Sequence, residues 1–430
     1  MKWNSTGRVA KALMVSMALG LGMTACSRDF TVAYLYATSA TRTTSGVINA
    51  YSIDYQSGAL QQLADSPIPS GGSNPVTLVA SPNGKYIYVL NHDTSTVVAF
   101  AVGTDGKLFP QATTNVVQGN GLIGSFPTAA AIDGTGSYLY VTFTYQNGYT
   151  SARPGPGGIA VFPITASTGA LGAPVTNTTV GTTAANPLPY FPTGMSPVGV
   201  TASLLHNFVY VVEQDTTTSN GVTSNVGNIL AFSNGPASGT ENGTLIPIAG
   251  TATVNATTLT GFKVGTTPSA IAEDPSAHFV YVTDQATNQL YAFNVITNGA
   301  LQSNSSSPFS TGQFPLGLTI DPRGLFLYVA NFGDSTVSAY AINQGNGALS
   351  GVAGTTQVST GPTCVTVEPA LGIYLYTSNN TDPTVSAEQL NPHTGSLTSV
   401  QGTPYTAQTL PTCAVSVANG SHATEVVNAN

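Results

Sequence analysis

A short aromatic, β-branched segment ending on or just after a tyrosine recurs seven times along this 430-residue chain. The copies are Tyr34-Leu35-Tyr36, Tyr86-Ile87-Tyr88-Val89, Tyr138-Leu139-Tyr140-Val141, Phe208-Val209-Tyr210-Val211, Phe279-Val280-Tyr281-Val282, Phe326-Leu327-Tyr328-Val329 and Tyr374-Leu375-Tyr376. Their last tyrosines lie 52, 52, 70, 71, 47 and 48 residues apart, close to the roughly 40 to 50 residues of a four-stranded propeller blade with two intervals stretched. Two further landmarks keep the same count. An Ala-containing strand follows each copy, from Asn49–Ile53 to Val385–Ala387, and a Gly-x-Leu turn closes each unit at Gly58, Gly106, Gly169, Gly243, Gly299, Gly347 and Gly395. A fourth strand opens at Pro75, Pro127, Pro197, Pro268, Pro315, Pro362 and Pro411, and turns such as Pro82-Asn83-Gly84 and Asp321-Pro322-Arg323-Gly324 lead it into the tyrosine strand.

The tyrosine strands are apolar throughout instead of alternating, which is the pattern of a sheet packed on both faces. One four-stranded sheet cannot bury two faces alone, so the units must pack on one another in a ring. The expected fold is all-β: a seven-bladed β-propeller of four-stranded antiparallel blades, ordered proline strand, tyrosine strand, Ala strand and Gly-x-Leu strand from axis to rim. The first unit starts with a tyrosine strand and the last proline strand, Pro411 to Ala418, stands near the C-terminus. That terminal strand is therefore expected to complete the first blade and close the ring without free edges. Glu425-Val426-Val427-Asn428 resembles a truncated eighth tyrosine strand that either competes for that slot or frays.

Composition agrees. Charged residues make up 7%, fewer than Gly (46) and Pro (27) together, which argues against a helical chain; disorder is opposed by 41% hydrophobic residues with 19 Tyr and 16 Phe to bury. Lys2, Arg8 and Lys11 precede an apolar run from Ala12 to Met23, too short to span a bilayer and of secretory length. It ends Met23-Thr24-Ala25-Cys26-Ser27, which resembles the lipobox of bacterial lipoproteins. The expectation is a signal peptide over 1–25, lipid attachment at Cys26, one propeller domain over 26–430, and a place at the bacterial cell envelope, on the outer membrane or the periplasmic side, with the membrane as a partner. Without those three basic residues the chain carries seven positive against eighteen negative charges, a formal −11, so nucleic acid is excluded as a partner. A monomer is expected.

Units such as Ser81-Pro82-Asn83-Gly84-Lys85-Tyr86-Ile87-Tyr88-Val89, and the stretch from Asp321-Pro322-Arg323-Gly324 through Tyr328-Val329-Ala330-Asn331 to Gly347-Ala348-Leu349, resemble the lactonase-type seven-bladed propellers. That group holds 6-phosphogluconolactonase-like proteins and the β-propeller surface proteins close to them, and the likeness covers Phe30 to Ala418. It implies the fold firmly and the activity weakly. Enzymatic members of the lactonase branch show Pro-Arg-His at an inner-strand start and Asn-Glu after a tyrosine strand. Here the prolines are followed by Val76, Thr128, Val198, Ser269, Leu316, Thr363 and Thr412, and none of the tyrosine strands is followed by Asn-Glu. Lactone hydrolysis needs a positioned acid or base and something cationic near the developing oxyanion.

Other chemistry is scarce. Gly119-Asn120-Gly121-Leu122-Ile123-Gly124 spells a dinucleotide fingerprint but leads into a strand instead of a helix, so it reads as a loop. The five histidines have no metal-site spacing, and no metal or cofactor is expected. His206 and His278 read as turn residues, whereas His92, in Asn91-His92-Asp93, follows a tyrosine strand on the face where the central mouth opens. Cys364 and Cys413 hold equivalent places in consecutive units, and at that separation two buried thiols are expected. The extra residues of the stretched intervals fall in segments 143–158, 172–196, 213–228 and 246–267, all of connection types that emerge on one face over blades three to five. Long loops on a rigid scaffold are where binding concentrates.

The candidate ligand face is Asn91, His92, Asp93, Tyr145, Tyr149, Glu213, Asp284, Asn331, Asp334 and Asn379. With Tyr190 and Phe191 in the same insertions, this set suits a small neutral or glycan-like ligand, or a protein partner. The leading functional expectation is a non-catalytic binding module of the envelope; the alternative is a lactonase-type hydrolase of a sugar lactone, 6-phosphogluconolactonase-like.

Overall fold

In a computed structural model of the protein, the described residues are 30–41, 45–116, 124–146, 148–178, 187–219, 222–236, 241–254, 259–422 and 425–428. They form seven antiparallel sheets around one axis, with a single short 3-10 turn, Gly420–His422, besides. The inner strands open at the seven prolines, as in Pro75–Ala80 and Pro315–Ile320, and each pairs outward with its tyrosine strand, as in Tyr86–Asn91 and Phe326–Asn331. The terminal strand Leu410–Ala418 pairs with Thr31–Ala40, Tyr36 facing Val415, so the two ends of the chain share blade one. Both the blade count and the strand order match the repeat. The lipobox cysteine and most of the Gly119–Gly124 loop lie outside the described residues.

Seven equivalent contacts explain why the tyrosine and glycine landmarks recur together. The first aromatic of each tyrosine strand lies against the Gly-x-Leu glycine of the next blade: Tyr34 on Gly106, Phe279 on Gly347, Phe326 on Gly395. That glycine has φ near +70° and no room for a Cβ, so only glycine fits. The second aromatic donates its hydroxyl to the same glycine's carbonyl, as in Tyr36 to Gly106 (2.6 Å), Tyr281 to Gly347 (3.0 Å), Tyr328 to Gly395 (3.0 Å) and, across the closure, Tyr376 to Gly58 (2.8 Å). Between blades three and four Asn234 mediates instead: its Nδ2 donates to Tyr140 and its Oδ1 accepts the Gly243 amide. Each of these tyrosines is buried, so the bond satisfies a hydroxyl whose isolation there would cost about 1–3 kcal/mol.

A smaller ring of bonds surrounds the axis. The residue after an inner-strand proline donates its hydroxyl to the next blade's backbone: Thr128 to Pro197 (2.6 Å), Ser269 to Pro315 (2.6 Å), Thr363 to Thr412 (2.8 Å) and Thr412 to Pro75 (2.7 Å). Where Val198 offers no hydroxyl, Gln214 Nε2 reaches the Pro268 carbonyl at 2.8 Å.

Two expectations are corrected. Cys364 and Cys413 form a disulfide, not two thiols, because inner strands converge at the axis and bring these Cα atoms to 4.9 Å, inside the disulfide range. Residues 425–428 form no strand: Val427 accepts from Arg323 Nη1 (3.1 Å) and donates its amide to Leu371 (2.9 Å), which docks the tail on the short turns of blades six and seven. The rim of blade three is shared: the Gly169 segment lies along the end of Pro156–Pro163 through the Ile164–Leu171 bridge and the amides of Gly172 and Val175, which donate to the Pro163 and Val161 carbonyls at 2.8 Å. Insertion residues Phe191–Met195 pair with the other end of that strand, from Pro156 to Ile159.

Candidate functional site

The four insertions meet one another on a single face. Tyr190 packs edge-on against Phe143 with centroids 5.3 Å apart, Gly194 donates to Glu213, and the Val264 amide donates to Gly227 (2.9 Å). Two of them are sheet instead of loop: Phe208–Ser219 and Val222–Asn234 pair as a continuous hairpin up to Ser219 opposite Val222, and Thr260–Lys263 adds to its side.

The residues expected on that face divide into two groups. Asn91, Asp284, Asn331 and Asn379 have no exposed surface and serve the blades themselves. Asn331 Nδ2 donates to Thr336 Oγ1 and Ser338 Oγ, both 2.9 Å; Asn379 repeats this with Thr384 and Ser386, and Asn91 with Thr96 and Ser70. Asp284 accepts the amides of Thr267, Ala286 and Thr287 at 2.9–3.0 Å. These side chains bracket the turn after the tyrosine strands of blades two, five, six and seven. The sequence carried the signal in Asn91/Thr96, Asn331/Thr336 and Asn379/Thr384: one polar pair at a fixed spacing in repeated units is a structural device. Glu213 is also buried, pointing at Gly194 (2.6 Å).

His92, Asp93, Tyr145, Tyr149 and Asp334 keep exposed surface. Asp334 accepts the Gln313 amide and the Thr336 hydroxyl, so it too is engaged. The remaining four gather over blades two and three. His92 Nδ1 lies 2.7 Å from Asp93 Oδ1, and Asn74 Nδ2 donates to the same oxygen at 3.2 Å. The bond from His92 holds the Asp93 carboxyl below the usual carboxylate range. The His92 ring stacks on Phe126 (4.8 Å, 23°), Tyr145 meets Phe126 edge-on at 6.0 Å, and Arg153 sits 5.8 Å over Tyr149.

Sequence reasoning missed Phe126, and with it Phe314. Both precede an inner-strand proline and both hold left-handed backbone, φ 63° and 54°, rare for an aromatic residue. Phe314 is 43% exposed and lies 6.0 Å from Phe332. The signal was available, since Phe-Pro at 126–127 and 314–315 are the only such pairs at inner-strand starts.

Cations are few. Arg323 is held by Asp321 (2.6 Å), the Gly372 carbonyl and the tail, and Lys107 pairs with Asp105 at 3.2 Å. At the other end of the axis a recess lined by Leu78, Ala80, Ile132, Leu204, Val415 and Val417 offers apolar walls and no ionisable side chain.

No curated protein matches the chain. Among solved structures it is similar to a proposed 6-phosphogluconolactonase from Bacteroides fragilis NCTC 9343 (19% identity, 91% of this chain and 99% of that one, TM-score 0.63). It is also similar to a periplasmic gluconolactonase, PpgL, from Pseudomonas aeruginosa (17% identity, 91% and 100%, TM-score 0.64). At these identities the likeness is one of fold. The family model described as lactonase, 7-bladed beta-propeller, matches residues 30–142 and 230–367, more than half of the chain. The gap between the two matched stretches holds the insertions 143–158, 172–196 and 213–228, the part of this molecule that departs from the shared pattern. The chain belongs to the seven-bladed β-propeller lactonase family.

Proposed function

We propose that this protein hydrolyses an uncharged sugar lactone on its insertion-bearing face, with His92 as general base and Asp93 as its orienting partner. The observation that carries the reading is the 2.7 Å contact of His92 Nδ1 with Asp93, beside the aromatic ring of Phe126. With Nδ1–H donated to Asp93, Nε2 is the nitrogen left to take a proton from water. The water oxygen then attacks the lactone carbonyl, the ring C–O bond breaks, and the proton returns from His92 to the leaving alkoxide. Family membership supports a lactone as substrate. The scarcity of cations argues against a phosphorylated one: Arg153 is the sole basic side chain of segment 143–158, and the axial position after each proline holds a hydroxyl or an aliphatic group where enzymatic relatives carry Arg.

The test is hydrolysis of gluconolactone and of its 6-phosphate by the protein without its leader. The expected outcome is turnover of the uncharged lactone in preference, falling at least about 100-fold in His92→Ala. Equal rates for His92→Ala and the native chain, or a preference for the phosphate, overturn the reading.

A second reading, a non-catalytic module for a neutral or glycan-like ligand or a protein partner, is favoured by the ring of axial hydroxyls: Thr128, Ser269, Thr363 and Thr412 spend their side chains on neighbouring blades. Absence of turnover with ligand retained on the Phe126–Tyr145 surface would select it. Under either reading the lipobox-like sequence at Cys26 supports export to the cell envelope and attachment at the membrane by an N-terminal lipid.

A further inference from the structure

Blade four buries polar atoms that neither the propeller architecture nor the hydrolytic reading uses. Glu213 and Asn228 stand directly opposite each other on the second and third strands, so their side chains leave one face of the sheet with Cβ atoms about 5 Å apart. Asp215, two residues along, points to the same face. All three are at most 1% exposed. Glu213 Oε2 accepts the Gly194 amide at 2.6 Å, but Oε1 has no hydrogen-bond partner, and neither end of the Asn228 amide has one. Burial, and then the Asp215 carboxylate, pushes the Glu213 carboxyl well above its usual range.

The walls around these atoms come from the insertions. Gly194, from segment 172–196, lies so close that an added Cβ would overlap both carboxylate oxygens of Glu213, and Thr193 beside it is fully buried. Gly261, from segment 246–267, lies against the Asn228 side chain. Lys263, the residue paired with Asn228 on the neighbouring strand, does not neutralise the cluster: it is exposed, lines a recess with Thr266 and Tyr291, and makes no ion pair with Glu213.

We propose that Glu213, Asp215 and Asn228 form a buried, oxygen-lined cation site of the calcium class that ties the blade-three insertion to blade four. A water molecule would satisfy the amide but leave Glu213 beside Asp215 either as a second like charge or as an acid forced to keep its proton in a low-dielectric interior, which is the costlier of the two deficits. One cation answers both, and Asn228 can turn its Oδ1 to it whichever way the amide is placed. Carboxylate and amide oxygens without nitrogen or sulfur select a hard cation, and an irregular set drawn from two strands suits the flexible coordination of calcium better than the octahedron magnesium requires. This departs from the expectation of no metal, which rested on histidine spacing; oxygen sites assembled across strands leave no such spacing.

The test uses the whole soluble chain, stripped with a chelator and then titrated with calcium chloride, followed by equilibrium dialysis and thermal melting. Expected are one calcium per chain and a melting point raised by a few degrees, with magnesium giving a smaller rise. Glu213→Gln should weaken binding at least tenfold, while its stripped form melts no lower than stripped native protein, since a buried charge has been removed. Asn228→Asp, which adds a carboxylate, should bind calcium more tightly than the native chain. No binding by the native chain, a larger effect of magnesium, or native affinity in both variants overturns the site.

Discussion

Asparagine at the end of a tyrosine strand and glutamate in the middle of an Ala strand look equally available on paper, yet the fold uses them in opposite ways. Asn331 and Asn379 find two hydroxyl partners each and become brackets. Glu388, 1% exposed between Leu375 and Ser399, keeps Oε2 without a partner, and burial pushes its carboxyl to about 7. A folded-state value above the unfolded one means that the proton is held more tightly in the native protein. Glu388 therefore imposes no penalty below about pH 4.5 and an increasing one as pH rises through 7. Glu388→Gln should raise the free energy of unfolding in urea at pH 8, by on the order of 1–2 kcal/mol once solvent screening is allowed for, and leave it unchanged at pH 4. Equal effects at both pH values would show that packing, not charge, governs the site.

At the scale of elements, the tyrosine strand of one blade and the glycine turn of the next form the repeating joint. Tyr328→Phe removes one hydroxyl and strands the Gly395 carbonyl, buried under Phe326, so it should cost about 1–3 kcal/mol in chemical unfolding. Tyr145→Phe, on the surface, should cost less than about 0.5 kcal/mol. Similar losses at the two positions would mean that the hydroxyl bond contributes nothing at the joint. The insertions obey different rules: Phe191–Met195 extends the rim of blade three along Pro156–Ile159, beyond the stretch that the Gly169 segment covers with the Gly172 and Val175 amides.

The ring as a whole is held at its closure by three means: strand pairing of Leu410–Ala418 with Thr31–Ala40, the Tyr376 bond to Gly58, and the Cys364–Cys413 disulfide across 49 residues. The disulfide joins the closing strand to blade seven while its backbone pairs within blade one, so it locks the seam from the other side. Replacing both cysteines by alanine should lower stability by about 3–4 kcal/mol, and the native protein in reductant should fall to the same level. A melting point that ignores both changes would remove the seam from the account. Blade count, strand order and closure were legible in the sequence because each repeats seven times, and a repeated pattern of aromatic, glycine and proline positions admits one arrangement that buries both faces of every sheet. What the sequence could not disclose were pairings made once: Cys364 with Cys413, His92 with Phe126, Glu213 with Asn228, and Gly194 against that carboxylate. Those depend on distances between residues far apart in the chain or on different strands, and such distances exist only after the ring has closed.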